Sequence, residues 1–295
     1  MKHLALKHPE AIRDFKAKMS EIYSDLYSVP AKSVCPIFQY SSSNSLNAFG
    51  SGALISIGNT KFLLTAAHVT DVHGEYELLV PGEQNLISLS GYLASLKLPK
   101  TGNRADDRYD ISYFKLNDDT AASLATHFHF LTYPEVDLTD RTNEKDMYVM
   151  MGYPASRTKI EGGTIDGPYS TMTGSAAPER FYNDLGYNIQ DHILIKFRRN
   201  KSVDLHTCTL KIMSKPDGMS GGGVFAFPKN PGMEQALQPP KLVGILMKYY
   251  PHHHLFVATR LNCFVNCIFK NHPELPISKG GRFDHGSSFR KTLEN

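Results

Sequence analysis

Cysteine is scarce in this sequence, which carries only Cys35, Cys208, Cys263 and Cys267 among 295 residues. Small secreted domains held by disulfides have many cysteines at recurring spacings, and these four show no such spacing. Cys263 and Cys267 form a C-x3-C pair, but no second pair accompanies them to complete a zinc site. We therefore expect buried or incidental thiols rather than a disulfide framework or a zinc centre.

Long apolar runs are also missing. A secretory signal needs about 7–15 consecutive apolar residues, whereas charges interrupt the N-terminal segment MKHLALKHPE. No stretch approaches the roughly 18 apolar residues of a membrane-spanning helix. The sequence therefore predicts a cytoplasmic protein with no membrane partner. Export by a route that leaves no N-terminal signal is the alternative.

Neither sign of charge is in large excess, since the formal net charge is +3. A protein that binds nucleic acid concentrates Lys and Arg on one face or in one run. The densest basic stretch contains Lys196, Arg198, Arg199 and Lys201. Its position at the end of a predicted strand is typical of a solvated edge. We expect no nucleic-acid partner.

Three consecutive histidines, His252, His253 and His254, raise the question of a metal site. Side chains that follow one another along a strand point to opposite faces. These imidazoles therefore do not converge on one ion unless Pro251 provides a turn. We expect no bound metal.

An amphipathic helix is predicted over residues 8–27, where apolar residues such as Ile12, Phe15 and Met19 recur at three- and four-residue steps. Pro30 follows, and the helix is expected to have ended before it. We expect the helix to pack on the surface of the folded core. Docking to a partner is the alternative.

From residue 34 onward, short apolar runs alternate with turn signals. Ala53–Ile57 and Lys61–Leu64 flank Gly58-Asn59, a two-residue hairpin signal. Further strands are predicted over 76–80, 111–116, 147–151, 192–197, 208–213, 223–227, 242–247 and 255–258, and a helix over 260–270. Many short strands joined by turns are typical of an all-β sandwich or barrel.

The first candidate catalytic residue is His68, which ends the segment Thr65-Ala66-Ala67-His68. It follows a predicted strand, and its small neighbours leave room for an imidazole in a cleft. A lone histidine is more often structural or solvent-facing, so the segment needs support from others.

The second candidate is Asp110, directly before the apolar strand 111–116. At the rim of a core its carboxylate can be buried and can accept a hydrogen bond from an imidazole. Asp106 and Asp107 share a polar loop with two arginines and are expected to be solvated. Turns favour Asp in any case, so this position alone is weak evidence.

The third candidate is Ser220, which glycines surround in the segment PDGMSGGG at 216–223. A phosphate-binding loop would continue into a lysine and a helix, whereas an apolar strand follows here. Glycines beside a serine let the backbone turn two N–H groups toward one point. Acyl transfer requires that arrangement to hold an oxyanion. A glycine-rich turn between strands is the structural alternative.

Together, TAAH at 65–68, DI at 110–111 and GMSGG at 218–222 resemble the trypsin/chymotrypsin-like serine peptidase family in their order. LVGI at 242–245 resembles the strand that walls the primary specificity pocket of that family, and VATRL at 257–261 resembles its segment near the last strand. The resemblance covers roughly residues 48 to 265. It implies an all-β fold of two six-stranded antiparallel β-barrels, to which the apolar patterns add an N-terminal and a C-terminal helix.

The implied organisation has four parts. Residues 1–33 form an N-terminal helical extension, and 34–135 form the first barrel, with His68 and Asp110. Residues 136–275 form the second barrel, with Ser220, and the C-terminal helix. The polar segment 134–146 marks the junction, and 276–295 is expected to be a mobile tail.

The resemblance also implies roles. Ser220 is the nucleophile, His68 the general base and acid, and Asp110 the carboxylate that orients the imidazole. The backbone N–H groups of Gly218 and Ser220 form the oxyanion hole. The substrate is a protein or peptide, and the chemistry requires no cofactor.

The spacing of the family places the specificity pocket. Ser214 lies near its floor, where a preference for Lys or Arg would need a carboxylate. The walls are expected to comprise Met247, Lys248, Tyr249 and Phe256. These bulky walls favour a small or medium uncharged residue before the cleaved bond.

The sequence departs from the family at two positions. Val69 follows His68 where secreted digestive members commonly have Cys, which agrees with a disulfide-free protein. Met219 precedes Ser220 where zymogen-activated relatives have an Asp that pairs with a newly cut N-terminus. Because Met cannot form that pair, and no Ile-Val-Gly-Gly-like start is present, we expect no activation by N-terminal cleavage. Constitutive competence, or switching by a regulatory protein partner, oligomerisation or a loop movement, is expected instead.

Three alternatives accompany this interpretation. A catalytically latent or silent relative would serve as a module that binds a partner protein, although it would not need the intact motifs. A hydrolase of another acyl substrate, such as an ester, would share the chemistry. An α/β-hydrolase is excluded, because it places the serine before a helix and the histidine last.

Overall fold

The computed structural model describes residues 17, 21, 25–40, 45–139, 146–161, 164–166, 169–199, 202–204, 209–213, 215–227 and 238–276. The expected mobile tail lies outside these residues except for its first position. In the part of the chain so described, no helix is both long and apolar enough to cross a membrane.

Strands dominate the structure. They are β1 (Val34–Tyr40), β2 (Leu46–Ile57), β3 (Thr60–Ala66), β4 (Leu78–Pro81), β5 (Leu86–Ser88), β6 (Gly91–Ser95), β7 (Ile111–Leu116), β8 (Met147–Gly152), β9 (Lys159–Glu161), β10 (Thr164–Asp166), β11 (Ser170–Ala176), β12 (His192–Lys196), β13 (Ser202–Asp204), β14 (Thr209–Lys211), β15 (Gly223–Ala226), β16 (Lys241–Tyr250) and β17 (Leu255–Arg260). The helices are α1 (residues 25–32), α2 (Ala67–Thr70), α3 (Asp118–Ala125), α4 (Glu179–Leu185) and α5 (Leu261–Asn271), with two 3-10 turns at Arg104–Asp106 and Tyr133–Glu135.

The first half of the chain forms a seven-stranded antiparallel sheet in the order β5-β4-β1-β2-β3-β7-β6. The hairpin between β2 and β3 turns at Gly58-Asn59, as predicted, with Ile57 opposite Thr60. Gly58 has a φ of +58°, which glycine adopts without the steric cost that other residues meet. The sheet is a half-barrel, since β5 and β6 each pair with one neighbour.

The second half forms a closed six-stranded barrel in the order β11-β12-β17-β16-β15-β8. Two short ribbons, β9 with β10 and β13 with β14, accompany it. The expected mostly-β architecture of two barrel-like sheets is thus confirmed. The observed architecture differs from the expected one in its first sheet, which has seven strands and is open instead of forming a closed six-stranded barrel. The proposed boundary at residue 135 stays a prediction.

A shared hydrophobic core joins the two sheets. Phe62 of β3 and Tyr113 of β7 meet edge to face, with ring centroids 5.9 Å apart. The same buried cluster includes Met151 and Phe225 from the barrel and Phe264 from α5. Because α5 packs on residues of both halves, it holds them in one body.

The first helix continues through Pro30, so the prediction that it ends before this residue is wrong. Within α1, Pro30 is buried beside the buried Leu26 and Tyr27. Proline has no N–H to donate within the helix, and the burial of this turn compensates for the missing hydrogen bond. The helix ends where the Ser33 hydroxyl donates to the Pro30 carbonyl at 2.7 Å. Most of the predicted helix over 8–27 lies outside the described residues.

Several elements had no clear signal in the sequence. Strand β11, STMTGSA, alternates buried and half-buried residues, but small and polar side chains hide the pattern. Helix α3 is short and begins where the Asn117 side chain accepts from the Thr120 N–H. Helix α4 ends at Gly186, which has a φ of +69°. Tertiary packing decides such short elements.

Candidate active site

The pairing of β3 with β7 brings His68 to Asp110. Ala66, the last residue of β3, lies opposite Ile111, the first residue of β7. The Ala67 N–H then donates to the Asp110 carbonyl at 2.9 Å. The register of two adjacent strands therefore places His68, the second residue after β3, beside Asp110, the residue before β7, although 42 positions separate them in sequence.

The Asp110 carboxylate makes two contacts with His68. Oδ2 lies 2.6 Å from His68 Nδ1, and Oδ1 accepts from the His68 backbone N–H at 2.9 Å. The Asp110 side chain is 7% exposed, whereas that of His68 is 37% exposed. A carboxylate beside Nδ1 favours the tautomer with the proton on Nδ1, which leaves Nε2 able to accept a proton.

The backbone of Asp110 has a φ of +50°. L residues rarely adopt this region, although Asp tolerates it better than most. A residue held in such a conformation needs support from its surroundings. The carbonyl of the preceding residue, Tyr109, accepts from Thr259 Oγ1 of the second half of the chain at 2.6 Å.

Ser220 lies in a tight turn that only glycine can form at two positions. Gly218 and Gly221 have φ values of +90° and +84°. A side chain at Gly221 would overlap the Ser51 carbonyl oxygen, and one at Gly222 would overlap the Met151 carbonyl oxygen. Because these glycines have no side chains, the backbone of the turn can lie in close contact with both halves of the chain.

Two N–H groups of the turn make no hydrogen bond to the residues that the structure describes. The Asp217 carbonyl accepts from the Ala155 N–H at 2.8 Å. The N–H and C=O of one peptide point in opposite directions, so the Gly218 N–H points away from Ala155. Among the described residues, neither the Gly218 N–H nor the Ser220 N–H makes a hydrogen bond. Both are available to an acceptor such as a carbonyl oxygen.

Ser51 of β2 binds this turn to the first half of the chain, and sequence reasoning missed it. Its N–H donates to the Ser220 carbonyl at 2.8 Å, and its hydroxyl donates to the Gly218 carbonyl at 2.9 Å. The hydroxyl also accepts from the Tyr153 N–H at 2.9 Å. Ser51 is fully buried. The small residues of Gly50-Ser51-Gly52 were the only hint in the sequence.

A single cleft of about 450 Å³ is lined by His68, Asp110 and Ser220 together. The predicted wall residues Met247, Lys248, Tyr249 and Phe256 line it as well, whereas Ser214 lies outside the described residues. Residues that were not predicted to line the cleft are Arg104, Ala105, Asp107, Pro216, Asp217, Met219, Leu246 and Pro251. The described candidate residues thus line one cleft.

The Ser220 hydroxyl and His68 Nε2 make no hydrogen bond within the described residues, although both side chains line the cleft. Contacts between a nucleophile and its base are often long without substrate and tighten in the complex. The arrangement therefore offers a hydroxyl, an imidazole oriented by a carboxylate, and two free N–H donors.

Aromatic rings fill the wall beside Ser220. The ring centroids of Tyr249 and Phe256 are 4.7 Å apart, and those of Phe197 and Phe256 are 5.2 Å apart. Burial raises the pKa of the Tyr249 phenol, so this ring stays neutral. Lys248 also lines the cleft, and its ammonium lies 3.5 Å from the Ala105 carbonyl oxygen and 5.0 Å from the centre of the Tyr250 ring. The part of the wall formed by Tyr249 and Phe256 is bulky and uncharged.

The prediction that Asp107 is solvated is wrong. Its side chain is 7% exposed and pairs with Arg104 Nη1 at 2.7 Å. Arg104 Nε also donates to the Asp71 carboxylate at 2.8 Å. These carboxylates, Asp71 foremost, raise the pKa of Arg104. Asp107 is buried because Asp71, far away in sequence, helps to hold the shared guanidinium. Asp106 is exposed, as expected.

The cysteines and histidines form no metal centre within the described ranges, where no three potential ligands converge. Cys35, Cys263 and Cys267 are buried free thiols. Burial raises the pKa of Cys35 to about 12 and that of Cys267 to about 11, so both stay protonated. Cys208 is not among the described residues.

Comparisons with known proteins identify the fold. No family model matches the sequence, and no curated protein matches it. The atomic-resolution structure of HBP matches 84% of this chain and 93% of its own, with a TM-score of 0.52 at 13% identity. Neuropsin, a serine protease expressed in the limbic system of mouse brain, matches 83% and 95%, with a TM-score of 0.53 at 15% identity. The chain has the trypsin/chymotrypsin-like fold.

Replacing Ser51 with alanine should lower the free energy of unfolding by about 1–3 kcal/mol, because the buried Gly218 carbonyl and Tyr153 N–H lose their partner. Urea unfolding followed by circular dichroism measures this. The control is Ser56→Ala, which removes an exposed hydroxyl that donates to the Gly58 carbonyl at 2.8 Å. Equal losses in both variants would contradict a special role for Ser51.

Proposed function

We propose that this chain is a serine endopeptidase that cleaves protein or peptide substrates through an acyl-enzyme. The observation that carries the proposal is the cleft that His68, Asp110 and Ser220 line together. The hydrogen bond of 2.6 Å between His68 and Asp110 supports it. So do the N–H groups of Gly218 and Ser220, which make no hydrogen bond within the described part of the chain.

In the proposed mechanism, Ser220 Oγ attacks the carbonyl carbon of the scissile bond while His68 Nε2 takes its proton. The carbonyl oxygen becomes an oxyanion and accepts hydrogen bonds from the N–H groups of Gly218 and Ser220. Asp110 stabilises the charged imidazole. The imidazole then donates the proton to the leaving amine, and water releases the acyl group by the same route. Each step uses only residues of this chain.

The central prediction concerns covalent labelling by a fluorophosphonate probe. The wild type should be labelled, and Ser220→Ala should not be, because the probe bonds to an activated serine oxygen. Asp110→Asn should lower kcat on a peptide substrate by about 10⁴-fold, since the imidazole loses the correct tautomer. In-gel fluorescence and peptide hydrolysis measure the two effects.

Labelling that persists in Ser220→Ala would contradict the assignment of the nucleophile. Thermal unfolding of both variants serves as the folding control. A folded wild type that is never labelled would favour the latent or silent module that binds a partner protein.

We propose further that N-terminal cleavage is not the activating step. Met219 is 1% exposed and packs in a cluster with Met150, Val224 and Leu246. A thioether in this position cannot pair with a new terminal ammonium. Its burial among apolar side chains supports a turn that needs no such pair.

The probe-labelled protein should therefore have the mass of the uncut chain plus the probe. Intact mass spectrometry measures this directly. Labelling confined to chains cut near residue 45 would contradict the proposal.

The aromatic wall supports a preference for a small or medium uncharged residue before the cleaved bond. Tyr249→Ala should widen the cleft and extend cleavage to larger residues. Tyr250→Ala is the matched control, because Tyr250 is the next residue of β16 and does not line the cleft. Mass spectrometry of a digested peptide library records the cleavage sites. Cleavage after Lys or Arg by the wild type would contradict the preference.

A further inference from the structure

The loop that carries Asp110 is anchored by the second half of the chain. The Tyr109 carbonyl accepts from Thr259 Oγ1 at 2.6 Å. The preceding carbonyl, of Arg108, lies 2.7 Å from His192 Nε2. Thr259 is 1% exposed and His192 is 2% exposed. Two consecutive carbonyls directly before Asp110 are therefore bound by buried side chains of the other sheet.

The two donors are neighbours in the barrel. His192 of β12 lies directly opposite Thr259 of β17 in the antiparallel ladder. Side chains opposite each other in such a pair project from the same face of the sheet. This face of the barrel thus presents two donors side by side, matching two successive carbonyls of the loop.

His192 acts as a neutral donor. Burial lowers the pKa of His192, so the imidazole carries one proton. Its Nδ1 lies 3.3 Å from the Asn188 backbone nitrogen, which can donate to it, and 3.0 Å from the Asn188 carbonyl oxygen. Nε2 makes the shorter contact, 2.7 Å from the Arg108 carbonyl oxygen. A carbonyl oxygen only accepts, so the single proton is assigned to Nε2, which donates it to the Arg108 carbonyl.

The side chains of the loop reach the second half as well. The Tyr109 hydroxyl donates to Asp191 Oδ2 at 3.0 Å. Arg108 Nη1 donates to the Leu185 carbonyl at 2.7 Å, and its guanidinium lies 5.3 Å from the centre of the Tyr187 ring. The backbone and the side chains of this loop are thus held together.

We propose that Thr259 and His192 are positioning residues that hold Asp110 in its conformation at a φ of +50°. They fix the carbonyls of the two preceding residues, and so direct the Asp110 carboxylate to His68. Because Thr259 and His192 belong to the half that carries Ser220, they also set the His68–Asp110 pair in register with the nucleophile. The catalytic consequence rests on the proposed function.

The test compares three variants. Thr259→Val keeps the shape of the side chain but leaves the Tyr109 carbonyl without its donor. Thr259→Ser restores the hydroxyl. Ser33→Ala is the matched control, because it also removes a buried hydroxyl that donates to a backbone carbonyl, that of Pro30, at 2.7 Å. Ser33 does not line the cleft.

We expect Thr259→Val to lower kcat for peptide hydrolysis by about 10- to 100-fold with little change in KM, because small displacements of catalytic groups cost rates of this order. Thr259→Ser should recover most of the loss, and Ser33→Ala should keep the wild-type kcat. A kcat for Thr259→Val equal to that of Ser33→Ala would overturn the proposal.

A second measurement of the positioning role does not depend on catalytic activity. The proton between His68 Nδ1 and Asp110 should give a proton NMR signal far downfield of the amides, assigned by its loss in His68→Ala. We expect the signal to shift or broaden in Thr259→Val but to persist in Thr259→Ser and Ser33→Ala. An unchanged signal in Thr259→Val overturns the positioning role.

The two readouts separate the proposals. An unlabelled wild type whose signal responds to Thr259→Val means that the proposed function fails while the positioning role stands. Should Thr259→Val fail to fold, His192→Phe replaces it, since it removes the donor to the Arg108 carbonyl and keeps an aromatic ring. The same shift is expected from it, and its absence again overturns the proposal.

Discussion

The hydrogen bonds of Ser51 set the position of the turn around Ser220 against the sheet that carries His68. The Ser51 N–H and hydroxyl bind two carbonyls of that turn, those of Ser220 and Gly218. These bonds hold the peptides that follow Gly218 and Ser220, so they fix the backbone of the turn that carries the N–H groups of both residues. The close approach of β2 to the turn also explains why Gly221 cannot carry a side chain. A buried contact between the two halves thus shapes the candidate oxyanion site.

A second set of contacts crosses between the halves in the opposite direction. Thr259 and His192, from the barrel, hold the loop before Asp110, which belongs to the first sheet. Each half therefore fixes the functional loop of the other. A cleft between two sheets keeps its geometry only if such contacts cross it, because rotation of either half would otherwise separate Ser220 from His68. The core shared with α5 limits the same rotation.

The polar and apolar parts of the cleft contribute to it in different ways. Hydrogen bonds surround the turn and the His68–Asp110 pair, where direction matters. The rings of Tyr249 and Phe256 pack against each other and form an apolar wall, which acts through its shape. Apolar packing is non-directional, so this wall limits a substrate side chain by its size and offers no partner to a charged group. Arg104 lines the cleft, but Asp71 and Asp107 already bind its guanidinium.

The sequence alone determined the three candidate residues and most long strands. Each of these depends on neighbours along the chain: small residues before His68, an apolar strand after Asp110, glycines around Ser220. The tertiary structure alone decided the roles of Ser51 and Thr259. Ser51 lies 167 positions from Gly218, and Thr259 lies 150 positions from Tyr109. A side chain that binds a distant carbonyl leaves no periodicity or composition signal, so only the folded chain reveals its partner.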